Sequence, residues 1–123
     1  MSAEWNDALP IYRQLKERVV AMILDGDLNE GEVIPSVRQV AVDYRVNPLT
    51  VSKAYQELVD EDLVEKRRGL GMYVKEGARD ALLERERDHF LNEEWPRIIE
   101  RIERLGLNSE NLLKSATEQG VNA

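Results

Sequence analysis

Residues 35–58 read PSVRQVAVDYRVNPLTVSKAYQEL, and the interruption in the middle of this stretch decides how the chain folds. Val37, Val40, Ala41 and Tyr44 recur at helical spacing, RVNP breaks the period, and Val51, Ala54, Tyr55 and Leu58 resume it. Ser36 is a good N-cap for the first of these helices. Asn47 followed by Pro48 is a strong start signal for the second, since the Asn oxygen takes an exposed amide and the first helical position needs no donor. Val46, apolar inside the turn, is expected to plug the angle between the helices. Two helices joined so tightly, with the small Ala41 inside the first, predict a helix-turn-helix. The turn sets an angle, because a continuous helix cannot be buttressed from behind while presenting its N-terminal end. In such a pair the second helix can enter a major groove with its leading residues against base edges.

N-terminal to this pair, Ile11, Leu15, Val19, Met22 and Ile23 make one apolar stripe. They predict a helix beginning near Leu9, with Pro10 in its first turn and Asp25-Gly26 as its stop. Val33-Ile34 allows no more than a small strand, which Pro35 closes. The helix that starts at Pro48 is expected to reach about Glu61, with Asp62 near its C-terminal cap. Leu63 to Arg67 and Met72 to Val74 are β-prone and flank Arg68-Gly69-Leu70-Gly71, whose glycines allow positive φ, so a hairpin is predicted.

Lys75-Glu76-Gly77 reads as a joint, and the remainder as helical. Leu82, Leu83, Phe90, Leu91, Trp95, Ile98, Ile99, Ile102 and Leu105 give a long apolar stripe, which Pro96 should kink or restart. Gly106 suits a left-handed cap, and Leu107, Asn108 and Leu112 fit a hydrophobic staple around an Asn N-cap. Fraying is expected from Gln119 to Ala123. The expected architecture is mainly α with a small β-hairpin wing, with a winged helix-turn-helix over residues 1–77 and a helical dimerisation tail over residues 78–123.

Composition removes several classes of function. The 123 residues contain no cysteine and one histidine, so no disulfide framework, thiolate nucleophile or imidazole cluster for a metal is available. No nucleophile–base pair or cofactor loop is present either, and the reading assigns no catalytic residue, no metal and no cofactor. No run is long enough to span a bilayer and MSAEWNDALP lacks the pattern of a secretory signal, which implies a cytoplasmic protein without a membrane partner. The net charge of −7 argues against nucleic acid only if the cations are dispersed. Phosphate contacts act within a Debye length of roughly 8 Å at physiological salt, and Lys66-Arg67-Arg68 is a local cationic cluster.

The run IPSVRQVAVDYRVNPLTVSKAYQELVDEDLVEKRRGLGMYV closely resembles the winged helix-turn-helix of GntR-family transcriptional regulators. The resemblance covers Leu9 to about Lys75, with a PS-x-R-x-x-A helix start, a VNP-x-TV-x-KAY recognition helix and an RRG-x-G wing in order. The short helical tail resembles the YtrA subfamily. The resemblance implies binding to a double-stranded DNA operator. Ser36 and Arg38 lie in the helix-start motif, and Arg38 should reach phosphate or base. Asn47, Pro48, Leu49, Thr50, Ser52 and Lys53 occupy recognition-helix positions, and Arg67, Arg68 and Gly69 form a wing tip directed to the minor groove. A side chain at Gly69 would hinder close backbone approach. The chain departs from the family where Pro48 replaces a frequent arginine, where Leu49 replaces a frequently polar residue, and where Asp62 stands in place of Gly. Leu49 can either contact a thymine methyl or cover core at the turn.

Each remaining feature has an ordinary reading. Arg13, Lys16 and Arg18 suit a solvated helix face, and Arg45 is either a DNA contact or a solvated turn residue. His89, with Asp88 beside it and Glu93 four residues on, suits a surface or an interface rather than a metal. The tail stripe exceeds what two helices can bury alone. A homodimer is therefore expected, with Leu83, Phe90, Leu91, Trp95, Ile98, Ile99, Ile102 and Leu112 at its interface. The resulting regulator, expected to repress, would bind a pseudo-palindrome; a winged-helix protein-interaction module is the competing class. A small-molecule effector is left open, since about 45 residues of tail offer little room for an enclosed pocket.

Overall fold

Ser36 and Asn47 cap their helices as the sequence implies. The Gln39 N–H donates to Ser36 Oγ at 3.0 Å, and the Leu49 N–H donates to Asn47 Oδ1 at 2.9 Å. The structure, a computed structural model, describes residues 5–118. Its helices are α1 (Ile11–Asp25), α2 (Val37–Tyr44), α3 (Pro48–Asp60), α4 (Ala78–His89), α5 (Trp95–Arg104) and α6 (Ser109–Glu118), with strands β1 (Val64–Arg67) and β2 (Gly71–Val74) between α3 and α4. The chain divides into two compact units, Met1–Leu83 and Glu84–Ala123. The fraying expected from Gln119 onward lies outside the described residues.

In the first unit the core is assembled from the apolar stripes. Leu15, Val19 and Ile23 of α1 meet Val40 and Ala41 of α2 and Val51, Ala54, Tyr55 and Leu58 of α3, with Val46 from the turn among them. Pro10 sits one position earlier than expected: it is the N-cap of α1, and its carbonyl accepts from the Arg13 and Gln14 amides. The turn after α2 closes with Arg45 at φ 54°, while the Arg45 and Val46 amides both return to the Ala41 carbonyl. The end of α3 repeats this device with Asp62 at φ 59°, and Leu63 N–H reaches back to Leu58 at 3.0 Å. Asp tolerates that left-handed backbone better than most side chains, though less well than glycine.

β1 and β2 form an antiparallel hairpin pairing Val64 with Val74 and Arg67 with Gly71. The short Val33-Ile34 segment joins its outer edge through a bridge between Val33 and Tyr73. The Ile34 amide donates to Met72 at 2.9 Å and the Val74 amide to Glu32 at 2.9 Å, so the wing is tied to the segment that leads into α2. Ala78 and Leu82 of α4 also belong to this core. The sequence reading placed Leu82 in the tail stripe; its i, i+4 spacing from Ala78 instead turns it onto the winged unit. Leu83 is half-buried at the end of the same unit.

In the second unit no described residue is buried. The expected break at Pro96 is resolved one turn earlier, by a π-helical turn over Phe90–Glu94 in which Trp95 N–H bonds the Phe90 carbonyl. Pro96 then sits in the first turn of α5, where a missing amide costs nothing. The widened turn brings residues five apart together: Phe90 faces Trp95 at 6.2 Å, and His89 Nε2 lies 3.5 Å from Glu94 rather than near Glu93. Gly106 takes the left-handed conformation at φ 68°, and Asn108 Oδ1 accepts the Asn111 amide at 3.1 Å. These two end-caps match the sequence reading.

Candidate nucleic-acid interface

α3 has one buried face and one open face. Val51, Ala54 and Leu58 are fully buried, while Pro48, Leu49, Ser52, Lys53 and Gln56 are exposed and Thr50 is half-buried. Tyr55 fastens the helix to the segment before α2, its hydroxyl donating to the Pro35 carbonyl at 2.7 Å. Burial, with the charge of Tyr44 second, pushes the Tyr55 pKa up to about 12, so the phenol stays neutral. On α2, Arg38 is exposed on the face opposite Val40 and Ala41. Of the two readings of Leu49, core cover at the turn is ruled out, since the side chain is 77% exposed.

α3 is held against α1 by contacts that the sequence reading missed. Lys16 pairs with Glu57 at 3.3 Å and with Glu61. Burial works to lower the Lys16 pKa, but the hydrogen bonds and charges of Glu61 and Glu57 outweigh it, and the pKa is raised. Arg18 lies 4.3 Å over the ring of Trp5, which meets Tyr44 edge-on at 6.2 Å. Lys16 and Arg18 are therefore structural links between elements, not a solvated face. The Lys53 ammonium sits 4.0 Å over the Tyr12 ring, at the seam between α1 and α3. No local pattern signals these pairs, because each joins residues far apart in sequence.

The wing carries its cations outward. Arg67 bonds Glu65 at 3.0 Å and stacks on Tyr73 at 4.2 Å, whereas Lys66 and Arg68 are exposed and engage no partner among the described residues. Gly69 has φ 77°, and a Cβ there would meet nothing within 4 Å. Within the protein, then, the turn geometry and not crowding calls for glycine. Ser36 and the wing residues Arg67, Arg68 and Gly69 come together around a groove of about 750 Å3, floored by Val33, Pro35, Val37, Leu70 and Met72. The leading residues of α3, Asn47 to Lys53, do not line it; Tyr55 is the α3 residue that does.

Among the described residues no group of acidic or histidine side chains could hold a metal ion, and no helix is long and apolar enough to cross a membrane. What the first unit offers is a capped helix end with a polar flank, an arginine one helix earlier, and a cationic hairpin tip.

Residues 11–74 match the model of the bacterial regulatory proteins of the gntR family. The chain is 30% identical to the HTH-type transcriptional regulator YhcF of Bacillus subtilis (strain 168), over 98% of its own length and 100% of that protein. It is 40% identical to the HTH-type transcriptional repressor YtrA of the same organism, over 64% of this chain and 61% of YtrA. Among solved structures, a GntR family transcriptional regulator from Listeria monocytogenes aligns with a TM-score of 0.71 at 26% identity, covering 93% of this chain and 98% of that one. AraR(DBD) in complex with operator ORX1 aligns with a TM-score of 0.56 at 26% identity, covering 60% of this chain and 94% of that one.

Proposed function

The chain belongs to the GntR family of bacterial regulatory proteins and is a winged-helix transcriptional regulator, not an enzyme; from that premise we propose that it acts as a homodimeric repressor on a pseudo-palindromic operator. The observation that carries the reading is the division of α3, whose apolar side is sealed in the core while its first turns stand open. Such a helix can enter a major groove without disturbing its own fold. Arg38 and Lys53 would flank it on phosphates, Thr50 and Ser52 would hydrogen-bond phosphate or base edges, and Arg67, Arg68 and Gly69 would lie along the minor groove. Ser36 and Asn47 would hold the two helix starts in register.

Dimerisation would come from the second unit. Phe90, Leu91, Trp95, Ile98, Leu105, Leu107, Leu112 and Leu113 are all exposed there, more apolar surface than a soluble monomer commonly leaves open. A second copy would cover it, with Ile99 and Ile102, half-buried already, at its centre. Two recognition helices would then read half-sites about one helical turn, roughly 34 Å, apart. Repression is inferred from the naming of YtrA as a repressor, and would follow from occupying a promoter.

The test is fluorescence anisotropy of the chain with DNA from upstream of its own coding sequence, from low to high salt. Affinity should fall steeply with salt despite the acidic composition, because the slope counts local phosphate contacts. A flat response, or equal affinity for every fragment, would refute the interface.

A further inference from the structure

The leading end of α3 is apolar, which is unusual for a surface meant to read bases. Pro48 has no amide, the Leu49 amide is taken by Asn47 Oδ1 at 2.9 Å, and the Thr50 and Val51 amides are taken by the Asn47 carbonyl at 2.9 and 3.3 Å. All donors of the first turn are therefore occupied inside the protein. The long polar side chains on the open face are engaged as well. Lys53 lies over Tyr12, and Gln56 donates to Asp60 at 2.9 Å. What projects from the tip is the ring of Pro48 and the isobutyl group of Leu49, the latter 77% exposed, with the short hydroxyl of Ser52 one turn on.

An exposed leucine at this place buries nothing in the folded monomer, so its contribution must be sought in the complex. The floor of a major groove is lined with hydrogen-bond donors and acceptors, and the 5-methyl group of thymine is its one apolar projection. We infer that Pro48 and Leu49 form an apolar tip that selects thymine by contact with its methyl group, making Leu49 a specificity-determining residue. This inference rests on the DNA-binding reading above. Hydrogen bonding would discriminate poorly at these positions, and the base preference should depend on a single methyl. Burying one such group corresponds to about a fourfold change in affinity.

The experiment begins with selection of a preferred duplex from a random-sequence pool by the full chain. Each thymine in the enriched site is then replaced singly by deoxyuridine, which removes only the methyl. About fourfold weaker binding is expected at one or two positions per half-site. Leu49→Ala should abolish that difference, binding thymine and uracil duplexes equally, while its thermal unfolding stays unchanged because the side chain is outside the core. Placing 5-methylcytosine for cytosine at the same position should recover part of the lost affinity. Leu49→Asn should move the preference from thymine toward adenine, whose N6 and N7 an amide can bracket. An enriched site whose uridine scan is flat, or discrimination that survives Leu49→Ala, would overturn the apolar tip and leave the regulator intact. A pool that yields no enriched sequence would overturn both.

Discussion

α3 and α5 are both amphipathic, yet their apolar sides end in different places. Val51, Ala54, Tyr55 and Leu58 of α3 disappear beneath α1, α2 and the strands, whereas Trp95 and Ile98 of α5 remain exposed and Ile99 and Ile102 half-covered. The contrast lies in the number of neighbours. α3 has a helix on two sides and a hairpin at its end, enough layers to close a core. The second unit offers α5 the end of α4 and α6 alone, and an apolar stripe without a third layer stays open. Amphipathicity in sequence thus announces that a face will be covered, but the partner must be found by counting the elements available in the chain.

The largest effect should come from the closed side of this contrast. Leu58→Ala removes a fully buried side chain and should lower the unfolding free energy by about 3 kcal/mol in urea titrations, abolishing DNA binding at mild denaturant. A loss below about 1 kcal/mol would mean that the winged unit is less tightly packed than its burial implies. On the open side, Trp95→Glu should weaken self-association by about 2 kcal/mol, a thirtyfold or larger rise in the dimer dissociation constant by sedimentation. The unfolding of the winged unit should be preserved. A variant that kept its association state would place the subunit contact elsewhere.

Tyr55 sharpens the comparison from within α3. Its folded pKa is raised from 10.0 to about 12, so the stability it adds is fully present below pH 10 and is lost as pH rises toward 12. Tyr55→Phe should cost about 1 kcal/mol at neutral pH through the bond to Pro35, and should flatten the alkaline decline followed by circular dichroism. An unchanged alkaline profile would assign the decline to another group. The smallest effect is expected at Asp62, where relief of the left-handed backbone by Asp62→Gly should stabilise the unit by about 0.5 kcal/mol. Its exposed Lys75 partner at 3.5 Å adds little, and a destabilisation of the same size would show that this pair outweighs the strain.

Much of the winged unit could be read in advance because its signals are local. Asn47-Pro48, Ser36, the paired helical periods and the glycine-bearing hairpin each act within a few residues, and each stands where the sequence implies. Missed were the contacts between distant residues: Lys53 with Tyr12, Arg18 with Trp5, Lys16 with Glu57 and Glu61, and Val33 with Tyr73. Of the interface, the exposure of Arg38, Leu49, Ser52 and Arg68 followed from periodicity. That Lys53 and Arg67 lean on tyrosines did not, since cation–ring pairs leave no spacing rule. In the tail, a constant period of 3.6 residues drew a single stripe through Leu82 and Leu105, although the first belongs to another core and the period changes between Phe90 and Glu94.

That change of period bears on how the tail tolerates variation in length. The π-helical turn aligns His89 with Glu94 and Phe90 with Trp95. Deleting one residue from it would restore an ordinary helix but rotate everything downstream by about 100°. Ile98 and Ile102 would then swing away from the face that carries Phe90, although every apolar residue was retained. Chains of this design should therefore accept exchanges of one aliphatic side chain for another far more readily than the gain or loss of a single residue in this turn.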